Sequence, residues 1–491
     1  MSLRWPKILA WFLAGVVALT LIAWFVLLRP VDQPHTNDPV QAFNHGSIGN
    51  EEREGLPYWI WRVLPQMFPE HLPGKADGYA ALGLYWEAGA ELPVGLSKKT
   101  LGVIPRVAPN CAFCHQGSYR LSADDPAVLV PGGAGTRVNP QAYLRFLTDA
   151  GKDARFTSDA MMAEITAVYD MPLWERLLYR YLLIPFTRSA LQERSKDFAW
   201  TYDRPGWGPG RIDPFNPVKY DNLKMGDDGT IGNSDMMPLW SLDQALGDGT
   251  RVPVFHWDGL TTSLREAVVS GAVGDGLTYK AFPGTEEHLI RLETWARLQQ
   301  PPPSPFSPRR RPGDPYYIDP DALTAGKALY AAYCAECHDP AGPRFRSVIP
   351  ALELGTDRHR LEMWNAEAVE RYHAYEEGYH WGFEAFQDKD GYVATELTGL
   401  WLKGPYLHNG SVPTLRDLLE VPERRPTVFY RGWDQVDAEN GGFVSQPGSA
   451  AEREGWRYDT AVDGNGNGGH LFGTELSAEE KEQLLAYLKT L

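Results

Sequence analysis

With 491 residues, 43% of them hydrophobic and 12% aromatic, the chain is long enough for two or three domains and apolar enough to bury real cores, which excludes a disordered protein. A formal charge of −16 excludes a nucleic-acid binder, which needs a basic face. Such an acidic surface suits solubility and docking to a basic partner.

Arg4 and Lys7 precede an uncharged run from Ile8 to Leu28 that includes Trp11, Phe12, Trp24 and Phe25. About 20 consecutive apolar residues span a bilayer as a helix. The run has no polar face, as a buried core helix would. Its end, Val26-Leu27-Leu28-Arg29-Pro30, lacks the small-residue cut site of a signal peptide. Residues 1–29 are therefore expected to be an uncleaved transmembrane anchor with the positive N-terminus in the cytoplasm. That makes an inner-membrane, single-pass protein with its domains on the periplasmic side. Residues 30–45, polar and proline-containing, read as a tether.

The aromatic cluster Leu56-Pro57-Tyr58-Trp59-Ile60-Trp61 follows and reads as core or pocket wall. Then comes Cys111-Ala112-Phe113-Cys114-His115, and the same pattern returns as Cys334-Ala335-Glu336-Cys337-His338. The two motifs use all four cysteines, so none is left for a disulfide. Two thiols at this spacing form thioethers with the vinyl groups of one haem, and the histidine that follows ligates its iron. The chance of Cys-His at the right offset after a given cysteine is roughly 2 in 10,000 for a chain of this composition. A zinc site needs four ligands where each motif offers three, and a redox dithiol has no use for the trailing histidine. Two covalently bound haem c groups are expected, with His115 and His338 as iron ligands.

Between the motifs, Asn139-Pro140 reads as a helix start. Asp170 to Ala190 reads as helical, with Leu177, Leu178, Tyr181 and Leu182 on one side. Asp203 to Trp240 is rich in Gly, Pro, Asn and Asp and reads as a loop, the place for a substrate-facing lid. Trp257-Asp258-Gly259 with Ser263-Leu264-Arg265-Glu266 echoes His408-Asn409-Gly410 with Thr414-Leu415-Arg416-Asp417. Each is a tight turn before a capped helix, as duplicated haem domains would give. Arg265 and Arg416 could each pair with haem propionates, since a guanidinium fork matches a carboxylate; a solvated helix charge is the plain reading of both.

A helix from Glu286 to Leu298 and the proline run Gln299 to Pro305 close a first haem domain, residues 46–300. A linker spans 301–315 and a second haem domain 316–491. In the latter, Leu329, Tyr330 and Tyr333 form a stripe leading to the haem motif, and Ser477 with Glu480 opens the last helix. The expected fold class is mainly α: two cytochrome c-like haem domains packed together, with long loops and the N-terminal transmembrane helix.

The run Leu402-Lys403-Gly404-Pro405-Tyr406-Leu407-His408-Asn409-Gly410-Ser411, downstream of a second haem motif, resembles the signature loop of the di-haem cytochrome c peroxidase superfamily. Trp207 to Asp213, Phe255-His256-Trp257-Asp258-Gly259, the proline linker and Gly469-His470-Leu471-Phe472-Gly473 resemble its rubber-oxygenase-like branch. The resemblance covers residues 46 to 491 and implies two helical cytochrome c folds, face to face, with haems close enough to exchange electrons. The distal histidine that such peroxidases carry soon after the first haem motif is missing, since no His lies between His115 and His256. No Met follows Met363, so the superfamily's Met ligand for the second haem is missing too. His470 matches the distal ligand of the rubber-oxygenase branch, with His408 as its rival.

A haem with one axial position open can bind peroxide or dioxygen, while one with both filled passes electrons. The expectation is an oxidoreductase with an open first haem on His115 and a closed second haem between His338 and His470. An electron-donor cytochrome or cupredoxin would serve it. The alternative is an electron-transfer cytochrome with both haems six-coordinate, for which Met161, Met162, Met236, Met237 and His256 are hidden ligands. Asp463-Gly464-Asn465-Gly466-Asn467-Gly468 has the first half of a calcium loop, but its twelfth position is Thr474 rather than Glu, so calcium stays unassigned.

Overall fold

The computed structural model describes residues 5–27, 36–74, 76–243, 249, 251–375 and 382–491. The chain is 42% helical and 12% strand. Its strands form one three-stranded sheet and four two-stranded antiparallel ribbons among the described residues.

The expected fold class does not stand as drawn. The apolar N-terminal run is helical over Trp5–Leu27, and its described side chains, Leu9, Trp11, Phe12 and Leu13 among them, are exposed. Yet no helix among the described residues is long and apolar enough to cross a membrane, for which about 20 consecutive apolar residues are needed. The transmembrane anchor at 1–29, the inner membrane as a partner and the single-pass, periplasm-facing location all rested on that helix and fall with it. Leu28 and residues 30–35 of the tether lie outside the described residues.

The first haem motif is seated on an aromatic core. In the helix Tyr58–Met67, Trp61 is 1% exposed and stacks on Tyr79 at 4.4 Å, and its indole N–H donates to the Tyr143 hydroxyl at 3.2 Å. Tyr143 lies on the helix Pro140–Lys152, which starts where Asn139 and Pro140 predict it, the Asn139 side chain accepting from the Ala142 N–H. The same Tyr143 ring meets Phe113, inside the Cys111–Cys114 turn, edge-on at 5.1 Å. The helix expected from Asp170 is instead Leu173–Leu178, a π turn over Tyr179–Leu183, and Ile184–Asp197. Its buried side is Glu175, Tyr179, Ile184, Thr187 and Leu191, while Leu177, Tyr181 and Leu182 are exposed.

The second haem motif follows the helix Pro320–Tyr333, which crosses the C-terminal helix Ala478–Leu488 closely. At the crossing Gly326 lies so near the Gln483 carbonyl that a Cβ would collide with it, and Tyr330 meets Tyr487 at 5.2 Å. Ser477 and Glu480 form the capping box that starts the C-terminal helix. Proline-rich residues 301–306 run along this second unit, with Ser304 Oγ donating to the Lys489 carbonyl and Phe306 buried against Tyr316.

The echoed turns form alike. Gly259 and Gly410 have φ of 69° and 65°, and Ser263 and Thr414 cap the helices Leu264–Gly274 and Leu415–Leu418. Buried ion pairs stitch the two halves together. Asp434 accepts from Tyr85, Ser118 and Arg120, each at 2.7 Å, and Arg360 pairs with Asp258 at 3.2 Å.

Candidate functional site

Both cysteine-histidine motifs close on a histidine held in the same way. The Asn110 side chain caps the Cys111–Cys114 turn by accepting from the Ala112 N–H at 3.0 Å. His115 then donates from Nδ1 to the Met237 carbonyl at 2.7 Å. In the second motif His338 donates from Nδ1 to the Thr395 carbonyl, again at 2.7 Å. A carbonyl can only accept, so each contact fixes the tautomer and leaves Nε2 with a lone pair to offer a metal. Burial lowers the pKa of both imidazoles, which keeps them neutral as ligands must be.

The thiols argue the same way. Burial pushes Cys111 and Cys334 up to about 12, and it raises Cys114 and Cys337 as well. Thiols held protonated are poor redox nucleophiles, whereas a thioether carries no charge to desolvate. The donor set fits a covalently attached haem.

The facing side differs between the motifs. The His470 ring stands opposite His338, centroid to centroid 6.4 Å. With metal–nitrogen bonds of about 2.0 Å, two imidazoles on opposite sides of one metal have centroids roughly 6 Å apart. His470 sits in a left-handed conformation, φ 49°, directly after Gly469 at φ 73°. Its N–H donates to the Leu354 carbonyl at 2.8 Å. A Cβ on Gly469 would run into the backbone from Leu354 to Thr356, so glycine is required for this approach. Arg425, 2% exposed, clamps the loop from behind, donating to the carbonyls of Asn467 at 2.6 Å, Gly469 at 2.9 Å and His470 at 3.3 Å. Burial above all, then the neighbouring His338 ring and Arg425, push the His470 pKa down to about 4.

His408 is placed otherwise. Its ring stacks on Tyr392 at 3.9 Å, and its Nε2 is 3.0 Å from the Tyr392 hydroxyl. Arg265 pairs with Glu293, and Arg416 pairs with Glu482 and donates to Asn440. Neither arginine lines the cavity beside His115; Arg346, Arg360 and Lys403 are among the cations that do. The glycine-rich loop spends its polar groups on the protein. Asn465 Oδ1 accepts from Arg211, and the Gly464 and Gly466 carbonyls accept from Asn409.

His115 borders a cavity of about 480 Å³, within the usual range for cofactor and small-molecule sites. Cys111, Cys114, Met236, Met237, His256 and Trp257 line it, with Gly271 and Gly274 of the helix Leu264–Gly274. Met161 and Met162 lie instead in the aromatic core. Thr395, whose carbonyl holds His338, also lines this cavity, so one residue borders both sites. Trp257 ties them further: its indole donates to the Asp235 carbonyl and its own carbonyl accepts from the Val393 N–H, both at 2.8 Å. Thr395 and Arg425 go unnoticed in the sequence, and Met237 reads there as a hidden iron ligand, whereas its carbonyl is what meets His115. Met237 and Thr395 act through backbone carbonyls, which leave no mark on residue identity.

Residues 391–430 match the family described as RoxA-like, cytochrome c-like. The match relates this chain to rubber-oxygenase-like cytochromes c over one short region and implies covalently bound haem c in a c-type cytochrome oxidoreductase. It includes Tyr392, Thr395, His408 and Arg425, and it says nothing of the wider peroxidase superfamily. Among curated proteins the chain is similar to uncharacterized protein y4iM of Sinorhizobium fredii, 32% identical over 193 residues, covering 32% of this chain and 42% of that protein. It is also similar to uncharacterized protein y4iJ of the same organism, 39% identical over 109 residues, covering 20% of this chain and 18% of that protein. The matched stretches thus span less than half of either relative.

Proposed function

We propose that the chain is a di-haem c-type oxidoreductase with division of labour. Cys111, Cys114 and His115 hold a first haem whose far side takes peroxide or dioxygen. Cys334, Cys337, His338 and His470 hold a second haem that relays electrons. What supports this is the asymmetry of the facing sides: His338 meets His470 across 6.4 Å, whereas His115 borders a cavity of about 480 Å³. When bound, the haem supplies one-electron chemistry and, at an open axial position, small-molecule binding.

The chain's own residues supply the rest. The Met237 and Thr395 carbonyls orient the two proximal imidazoles and raise their basicity. Arg425 and Gly469 hold His470 in place. Phe255, Trp240 and Leu264 make the cavity wall apolar, which limits water at the reacting face.

The test is His470→Ala in the holoprotein. The second haem should turn high-spin or take exogenous imidazole, with the first haem's signal unchanged and turnover with peroxide or dioxygen reduced. An untouched low-spin signal in that variant, lost instead in His408→Ala, would move the ligand role to His408.

A further inference from the structure

The helical excursion after Pro172 turns an apolar face to water. Leu173, Leu177 and Tyr181 follow one another at four-residue steps. Trp174, Leu182 and Phe186 form a second row beside them, with half-buried Leu178 between Trp174 and Leu182. The six side chains are each 46 to 73% exposed, while Glu175, Tyr179 and Ile184 on the opposite side are buried, so the helix is firmly seated. A four-residue step drifts round a straight α-helix by about 40°, and three of them by about a third of a turn. The π turn Tyr179–Leu183 inserts one residue, worth about 100°, and brings the two rows back into line.

Rows of residues four apart are the ridges by which helices most often pack, the ridge of one entering the groove between two ridges of the other. This face offers both ridge and groove, so it fits a copy of itself related by a two-fold axis. Its size agrees. With aromatic side chains of about 150–250 Å² and leucines somewhat smaller, those exposures leave roughly 600–700 Å² of apolar surface in water. The largest apolar patch of a typical monomer is about 300–600 Å², and each partner gives about 800 Å² to an interface of standard size. The rows exceed the first and approach the second.

Charge selects the occupant. Along the flank of the rows Arg176 pairs with Asp170 at 3.4 Å and Arg180 pairs with Asp159. An anionic membrane surface draws helices with basic residues in surplus, whereas here each arginine already has its acid. The net charge of −16 repels such a surface, and it repels a second copy too except where local charges cancel, as they do on this flank. We propose that the two rows pair with the same rows of a second copy of the chain, giving a two-fold homodimer. None of the six side chains lines the cavity beside His115, so the pairing is independent of how the first haem is used.

Sedimentation equilibrium of the holoprotein reads the pairing in wild type, in Leu177→Glu with Tyr181→Glu, and in Leu352→Glu, a control at a side chain 94% exposed elsewhere. Wild type and the control should weigh about twice the 54.9 kDa polypeptide with its haems. The double variant should be a monomer, its dissociation constant raised at least about 100-fold, because each glutamate would be buried against apolar side chains without a partner. Far-ultraviolet circular dichroism reports folding, and Phe186→Glu carries the test if the double variant does not fold. A wild type still monomeric at about 100 μM, far above the micromolar limit for interfaces of this size, overturns the proposal. So does a dimer that the variants leave unchanged, or that Leu352→Glu weakens as much. A monomer that co-sediments with vesicles of equal parts phosphatidylcholine and phosphatidylglycerol, and no longer does so in the double variant, overturns it too and gives the rows to a lipid surface.

Discussion

Replacing Arg425 by Met should loosen the second site without dismantling the fold. The guanidinium gives two short bonds, at 2.6 and 2.9 Å, to the Asn467 and Gly469 carbonyls, one at 2.9 Å to Glu420 and a longer one to His470. Methionine fills similar volume but donates nothing, so four part-buried carbonyls lose this donor at about 1 kcal/mol each. Water entering from the half-exposed neighbouring loop offsets part of this, leaving roughly 3–4 kcal/mol on the segment that carries His470. If about 2 kcal/mol of that falls on the ligated arrangement, the equilibrium between bound and released imidazole shifts roughly 30-fold. Carbon monoxide binding to the reduced second haem reads this shift directly, and the variant should bind it far faster than wild type. Arg425→Lys should rescue poorly, because an ammonium cannot fork to carbonyls on both sides. Equal carbon monoxide kinetics in wild type and Arg425→Met would refute the idea that this arginine holds the loop.

Three further outcomes follow from the same geometry. Cys334→Ala with Cys337→Ala should leave a protein one haem lighter by intact mass, and a variant that keeps two covalent haems would exclude attachment there. Gly326→Ala should cost about 1–3 kcal/mol or more in thermal unfolding, because the new Cβ meets the Gln483 carbonyl at a backbone crossing that cannot give way. Asp434→Asn should cost on the order of 3 kcal/mol by denaturant titration, since it leaves Arg120 facing a neutral group in a buried setting. Burial alone would raise the Asp434 pKa, but Arg137 and the bonds from Ser118, Arg120 and Tyr85 hold it below the usual carboxylate range. Its stabilising contribution is therefore complete above the unfolded value of about 3.9 and is lost as pH falls through the lower folded value. Wild type should lose stability more steeply than Asp434→Asn in that acidic window.

The two cysteine-histidine motifs could be read because each lies in five adjacent residues. The caps at Asn139, Ser263, Thr414 and Ser477 were legible because capping is decided within one turn. The face of the helix after Pro172 was not. A π turn at Tyr179–Leu183 inserts an extra residue, and the buried stripe includes Glu175 and Thr187, so hydrophobicity alone points to the exposed side. The N-terminal run shows the opposite error: an apolar segment without charges read as a membrane span, and no described helix meets that requirement. The site's supports were hidden for a third reason. Arg425 is 45 residues from His470 in sequence, and the Met237 and Thr395 carbonyls could belong to any residue.

Low-temperature electron paramagnetic resonance of the oxidised holoprotein tests the central claim most directly, because it counts each spin state separately. The division of labour between the sites predicts one high-spin and one low-spin ferric haem in equal amounts. Two low-spin haems, with no high-spin signal at any pH at which the protein is folded, would contradict it.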